Sequence, residues 1–326
     1  MKAVLRPMNL GEILDRTFEI YRKRFLLFAG IAALPAAVML AIHLADNAWV
    51  HTNRLIDAAD EERESQIFLG WFLAYGYYHI SGFVGLLFHP AWVRAVSREL
   101  FGESNSILGS LRFLAARWRT YLWIAFLKMC AQLIVPEALA IGLFFGAYYI
   151  FDKLGMTQNF FPLGAVLLAL IAGIFTAFFW IGIALAFAMP AAALEEIGGW
   201  KSLRRSWRLT GGSRGRILVA WIMVIACALV LEGVAALLAW WIASLAYTGH
   251  LAAGYNRQVH VVVLYFFYAA IAVVVGPLYP IALTLLYYDQ RARKEGYDVE
   301  KLMEAAGLLT PVGAGIAVSA ADAGHA

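Results

Sequence analysis

Long apolar runs alternate with short polar segments along the whole chain. Six runs, at about 25–45, 67–93, 121–150, 161–189, 217–247 and 259–288, each reach or exceed the roughly 20 residues that a helix needs to cross a bilayer. Lys, Arg, Asp and Glu are missing from all of them except the third, with Lys128 and Glu137, and the fifth, with Glu232. Their length excludes strands, and the alternating ten-residue pattern of an outer-membrane barrel is absent. The pattern predicts an all-α integral membrane fold with six transmembrane helices.

Three of the polar segments predict short amphipathic helices, each feeding an odd-numbered span. In the first, Leu10, Ile13, Leu14, Phe18, Tyr21 and Phe25 share one face, and Asn9 with Glu12 forms a capping pair at its start. Ile107, Leu111, Leu114 and Trp118 repeat the stripe, and so do Trp200, Leu203 and Trp207. Helices of this kind lie in the membrane interface with the apolar face in lipid. The even spans share a different mark. Pro90, Pro190 and Pro280 fall near one end of each, about one hundred residues apart. Cys130 and Cys227 each follow by eleven residues the Arg that closes the preceding basic segment. The chain therefore reads as three pseudo-repeats of one in-plane helix and two spans.

Charge sets the expected orientation. The segments before span one, between spans two and three, between four and five, and after six hold 21 of the 26 Lys and Arg residues, while the three opposite loops hold Arg54, Arg63, Lys153 and Arg257. Positive residues stay in the cytoplasm, so both termini are expected there, and the acidic loop at 46–66 outside. Composition agrees, with 62% hydrophobic and 15% charged residues and a mean hydropathy of +0.71; soluble domains carry about 25% charged residues. Eleven Trp and fifteen Tyr suit repeated passage through the headgroup zone. The first apolar run is expected to be a retained anchor rather than a cleaved signal. Residues 1–306 form one expected membrane domain, and the Ala- and Gly-rich tail at 307–326 is expected to be disordered.

The candidate chemistry is sparse. Two cysteines and seven histidines show no metal-ligand spacing, so neither a metal nor a cofactor is expected. No nucleophile elbow, P-loop or Walker pattern is present, and the net charge of +4 is placed for a membrane surface rather than for nucleic acid. Glu137 and Glu232 are costly at mid-bilayer, by about 2.5–3.5 kcal/mol each on insertion scales. They fit either a proton or cation relay or protonated structural carboxyls. Lys128 either snorkels to the headgroups or pairs across helices with a residue such as Glu232. Pro277 and Pro280 make either an ordinary kink or a broken helix of the transporter kind. Trp200, Arg204, Arg205, Trp207 and Arg208 form the strongest basic and aromatic cluster, which either contacts anionic headgroups or only sets topology. Asp289, Arg291, Arg293 and Glu295 are expected to pair with the basic segments and lock that face.

Three stretches carry a family resemblance: LRPMNLGEILDRTFEIYRKRF at 5–25, LEEIGGWKSLRRSWRLTGG at 194–212 and YYDQRARKEGYD at 287–298. Together they resemble the bacterial membrane-domain family named after glycerophosphoryl diester phosphodiesterases, over residues 5 to about 304. The phosphodiesterase activity in that family belongs to a separate soluble barrel of roughly 250 residues, and no soluble stretch here exceeds about 40. The resemblance therefore implies a multi-pass protein of the bacterial inner membrane and supplies no reaction. The expected function is that of a non-enzymatic scaffold, accessory or assembly subunit. Its expected partners are anionic lipid and either another protein or a second copy. The alternative is a transporter or channel for a lipid-like or small polar solute, working through the intramembrane glutamates.

Overall fold

The computed structural model describes residues 6–56, 63–155, 160–247 and 253–305; the expected tail at 307–326 and residues 57–62 of the acidic loop lie outside them. The described residues are helical apart from short turns, with no strand among them. A short helix followed by two long ones occurs three times. The first set is α1 (Leu10–Lys23), α2 (Phe25–Ile56) and α3 (Arg63–Phe101). The second is α4 (Ile107–Ala116), α5 (Trp118–Met129) continuing into α6 (Val135–Lys153), and α7 (Phe160–Ala184) continuing after a break into α8 (Ala188–Leu194). The third is α9 (Gly199–Thr210), α10 (Arg214–Tyr247), and α11 (Ala253–Val275) continuing after a break into α12 (Leu278–Glu295); a last short helix, α13 (Tyr297–Ala305), follows.

Five segments among the described residues are long and apolar enough to cross a membrane: Phe25–Ala48, Trp118–Lys153, Pro162–Leu194, Arg214–Ile242 and Val259–Glu295. They match the first and the third to sixth expected spans. The second expected span, 67–93, lies in α3, a 39-residue helix; many of its side chains before His79 are outside the described residues.

The core sits at one end of the bundle, and α12 is its post. Every residue from Pro280 to Gln290 is buried, and α12 touches α1, α3, α8, α9, α10 and α13. A helix with no exposed face has neighbours on every side. Ile281, Leu285 and Tyr287 pack with Ile13 of α1, Phe28 of α2, Trp92 and Val96 of α3, and Phe187 beside α8. Away from this end the long helices turn apolar side chains outward: Leu143, Phe145, Leu168, Phe175, Leu229 and Leu237 are all largely exposed. Such a surface is stable only against hydrocarbon.

The prolines mark where the even-numbered long helices enter the core. Pro190 and Pro280 each occupy the third position of a helix that restarts after a break, where an N–H has no intrahelical acceptor. Pro277 lies at the second break, directly before α12. Pro90 lies inside α3, which runs through it as one helix. A further irregularity was not anticipated. Between α5 and α6 the chain makes a π-helical turn at Cys130–Ile134, closed by the Val135 N–H on the Cys130 carbonyl. Pro136 is its cause, because a proline removes one helical donor and crowds the preceding turn.

The short helices satisfy backbone groups that these breaks release. Ser206 of α9 accepts from the Phe187 N–H at 3.0 Å and donates to the Ala184 carbonyl at 2.9 Å, and the Thr210 hydroxyl reaches the same carbonyl at 3.2 Å. At the other break, the Tyr21 hydroxyl of α1 donates to the Val274 carbonyl. In a lipid-surrounded bundle an unpaired backbone group has no water to turn to, so α9 and α1 are structural parts of the spans they clasp. Ser206→Ala is accordingly expected to lower stability by about 1–3 kcal/mol in thermal unfolding of the protein in lipid, because a buried N–H loses its acceptor. Leu229→Ala, on the outward face of α10, should change it by less than about 1 kcal/mol.

Candidate functional site

The basic segments meet at the core end of the bundle around one buried acid, Asp289, and two partly buried ones, Glu195 and Glu99. The Asp289 carboxylate is fully buried. It accepts from Arg216 Nη1 at 2.7 Å, from Arg293 Nε at 3.0 Å and from the Met8 N–H at 2.8 Å. The Met8 carbonyl in turn accepts from Arg293 Nη2 at 2.7 Å. One carboxylate thus ties together the segment before α1, the start of α10 and the end of α12. The expected capping pair follows directly, with Glu12 N–H on Asn9 Oδ1 at 2.8 Å and Asn9 N–H on Glu12 Oε2 at 3.1 Å. Arg6 beside Glu12 holds that carboxyl below its usual range, with the Asn9 N–H helping.

The second acid is Glu195. Arg205 of α9 bridges it, Nε to Oε2 at 2.9 Å, and Glu295 of α12, Nη2 to Oε2 at 2.6 Å; Tyr287 also donates to Glu195. Arg291 approaches both acids, at 3.6 and 3.3 Å, and lies over the Tyr297 ring. Burial works against the Arg205 charge, yet its hydrogen bonds to Glu295 and Glu195 outweigh that and raise its pKa. The third acid, Glu99 at the end of α3, pairs with Lys23 at 3.3 Å and Arg24 at 2.9 Å. Lys294 closes the face by donating to the Arg208 and Leu209 carbonyls, both at 3.1 Å, at the C-terminus of α9. Glu196, a non-glycine residue at φ 53°, is held in that left-handed conformation by Arg117 Nη2 on its carbonyl at 2.7 Å. The expected lock between the end of span six and the basic segments is present in detail.

The basic and aromatic cluster on α9 divides in two. Ser202, Leu203, Ser206, Leu209 and Thr210 face the core. Trp200, Arg204, Trp207 and Arg208 remain exposed along the opposite side. Arg205 departs from the expected headgroup set: it faces inward, and its guanidinium is engaged by Glu195 and Glu295. Arg214, which the sequence did not single out, lies 4.4 Å from the Trp180 ring and 5.3 Å from the Trp207 ring, extending the aromatic surface to α7. The same division holds in α1, where Ile13, Thr17 and Ile20 are buried while Phe18 stays outside, as does Phe25 at the start of α2. In α4 Leu111 and Leu114 pack inward, while Ile107, and Trp118 at the start of α5, are exposed. The apolar stripes are thus wider than the seams they bury, and the surplus points outward.

The intramembrane candidates do not converge. Glu137 approaches His79 of α3, Oε2 to Nε2 at 3.4 Å. Glu232 is half-buried on α10. Neither lines either of two cavities that open among the helices, of about 650 and 300 Å³. Lys128 lines both. At 8% exposure it is buried within the bundle, and no ion pair with Glu232 is present among the described residues. Cys130 and Cys227 are free thiols.

Long apolar helices around a core confined to one end define a multi-pass helical membrane protein. Residues 149–304, slightly under half of the chain, match the model of the family described as the membrane domain of glycerophosphoryl diester phosphodiesterase. The motifs at 194–212 and 287–298 fall inside the match, and the one at 5–25 precedes it. No curated protein and no solved structure matches the chain.

The division of α9 has a measurable consequence. Arg205→Met leaves two largely buried carboxylates short of their partner and is expected to cost about 2–4 kcal/mol in unfolding measurements in lipid. Arg204→Met, one residue away on the exposed row, should stay within about 0.5 kcal/mol of the unaltered protein.

Proposed function

We propose that this chain is a non-enzymatic protein of the bacterial inner membrane that acts as a scaffold or accessory subunit with its basic face seated on anionic lipid. It crosses the membrane six times, with α3 as the second span and both termini in the cytoplasm. The three sets of one short and two long helices are copies of one unit, and α1, α4 and α9 lie in the membrane interface. The observation that carries this reading is the exposed row of Trp200, Arg204, Trp207 and Arg208 on a helix whose other side is locked into the core. A fixed row of guanidinium and indole groups at the rim of an apolar bundle matches a headgroup layer in both chemistry and depth. The surplus aromatic and aliphatic side chains of α1 and α4 lie at the same end and extend the contact. The remaining outward surface serves a partner protein or a second copy. The rival transporter reading needs Glu137 and Glu232 on a shared cavity, and neither lines the cavities described above.

Two measurements check this. Replacing Arg204 and Arg208 by Gln removes two charges worth about 1 kcal/mol each near a negative surface. The enrichment of phosphatidylglycerol over phosphatidylcholine around the purified protein should then fall by roughly 30-fold with the fold intact. Unchanged enrichment would sink the lipid-seated reading. For topology, reporters fused ahead of residue 6 and after residue 305 should both be active only in the cytoplasm; a periplasmic signal from either end rules out the six-span arrangement.

A further inference from the structure

The cavity of about 650 Å³ lies between α2, α3, α11 and α12, with Lys128 of α5 in its wall. Its volume is within the roughly 300–1,000 Å³ usual for small-molecule sites. Small residues, Ala32 and Ala36 of α2 with Ala269 and Ala272 of α11, leave the space open. Most of the wall is apolar, as an acyl chain requires.

The polar part of the wall is specific. Lys128 is more than nine-tenths buried and has neither an ion pair nor a hydrogen bond among the described residues. His89, also buried, lines the same cavity with its Nε2 unpartnered. No carboxylate is among the lining residues. An ammonium group at this depth calls for a negative partner, and none of the described lining residues supplies one. The lone cationic group and the long apolar remainder together specify a ligand with one acidic end and a hydrocarbon body.

We propose that this cavity binds an anionic amphiphile, a fatty acid or an acidic single-chain lipid, with its acid on Lys128 and His89 and its chain between α2 and α11. The site is internal and shares no residue with the exposed row on α9, so either reading can fail without the other.

Native mass spectrometry of the full chain, released from phosphatidylcholine nanodiscs after equilibration with oleate, oleyl alcohol or inorganic phosphate, tests it. One oleate should be retained at a concentration about tenfold lower than one oleyl alcohol needs, since only the acid gains the ion pair. Lys128→Met should remove that preference and Lys128→Arg should keep it. Gly85 also lines the cavity, and a side chain added there meets nothing within 4 Å. Gly85→Phe should therefore block oleate while leaving the lysine in place, and it decides the matter if Lys128→Met does not fold. Equal retention of acid and alcohol, wild-type preference in Lys128→Met, or undiminished oleate in Gly85→Phe would each overturn the proposal. So would retention of inorganic phosphate in place of oleate, which would make this a site for free anions.

Discussion

The buried carboxylate of Asp289 is the contact on which the arrangement of the other helices depends. It is fully enclosed and reaches a guanidinium of α10, a guanidinium of its own helix and the backbone of Met8. A buried charge is tolerated only when every lone pair has a partner. Here the partners come from segments 281 and 73 residues away. The requirement therefore fixes the N-terminal segment and the start of α10 against α12. Glu195 and Glu99 repeat the device for α9 and for α1 with α2. These bonds hold the short helices in place, and the short helices in turn satisfy the backbone at the two helix breaks.

This division of labour follows from the two solvents. Between lipid-facing helices there is no hydrophobic gain on association, since the tails are as apolar as the side chains. Cohesion must come from close packing and from polar bonds. The bundle concentrates both at one end, where α12 is enclosed and the acids are paired. Two cavities, of about 650 and 300 Å³, remain open between the helices. The same concentration fixes which groups remain outside: α9 spends its serines, Leu203 and Arg205 inward, and presents its tryptophans with Arg204 and Arg208.

Much of this was legible in the sequence. Helix length and charge gave the apolar spans at 25–45, 121–150, 161–189, 217–247 and 259–288, and the shared end of the four basic segments. The Asn9 and Glu12 cap was legible because its signature is local. The pairing of Asp289 with basic residues was legible from charge sign alone. Other features depend on which side of a helix meets which neighbour. Arg204 and Arg205 are adjacent and chemically identical, and only the position of Glu195 and Glu295 separates an exposed group from a buried one. Lys128 shows its depth in the sequence, but not that it lies in the wall of two cavities. Pro136 carried the one signal for the π-helical turn, a proline inside an otherwise continuous span. The continuous helix through Pro90 shows that the same residue does not always produce a break.

A double-mutant cycle between Asp289→Asn and Arg216→Gln, read by unfolding of the full chain in lipid, tests the central claim most directly. If the buried carboxylate holds the basic segments together, the two changes are strongly non-additive, with a coupling of about 1–3 kcal/mol. Additive effects, each below about 0.5 kcal/mol, would contradict it and would mean that apolar packing around α12 alone fixes the face.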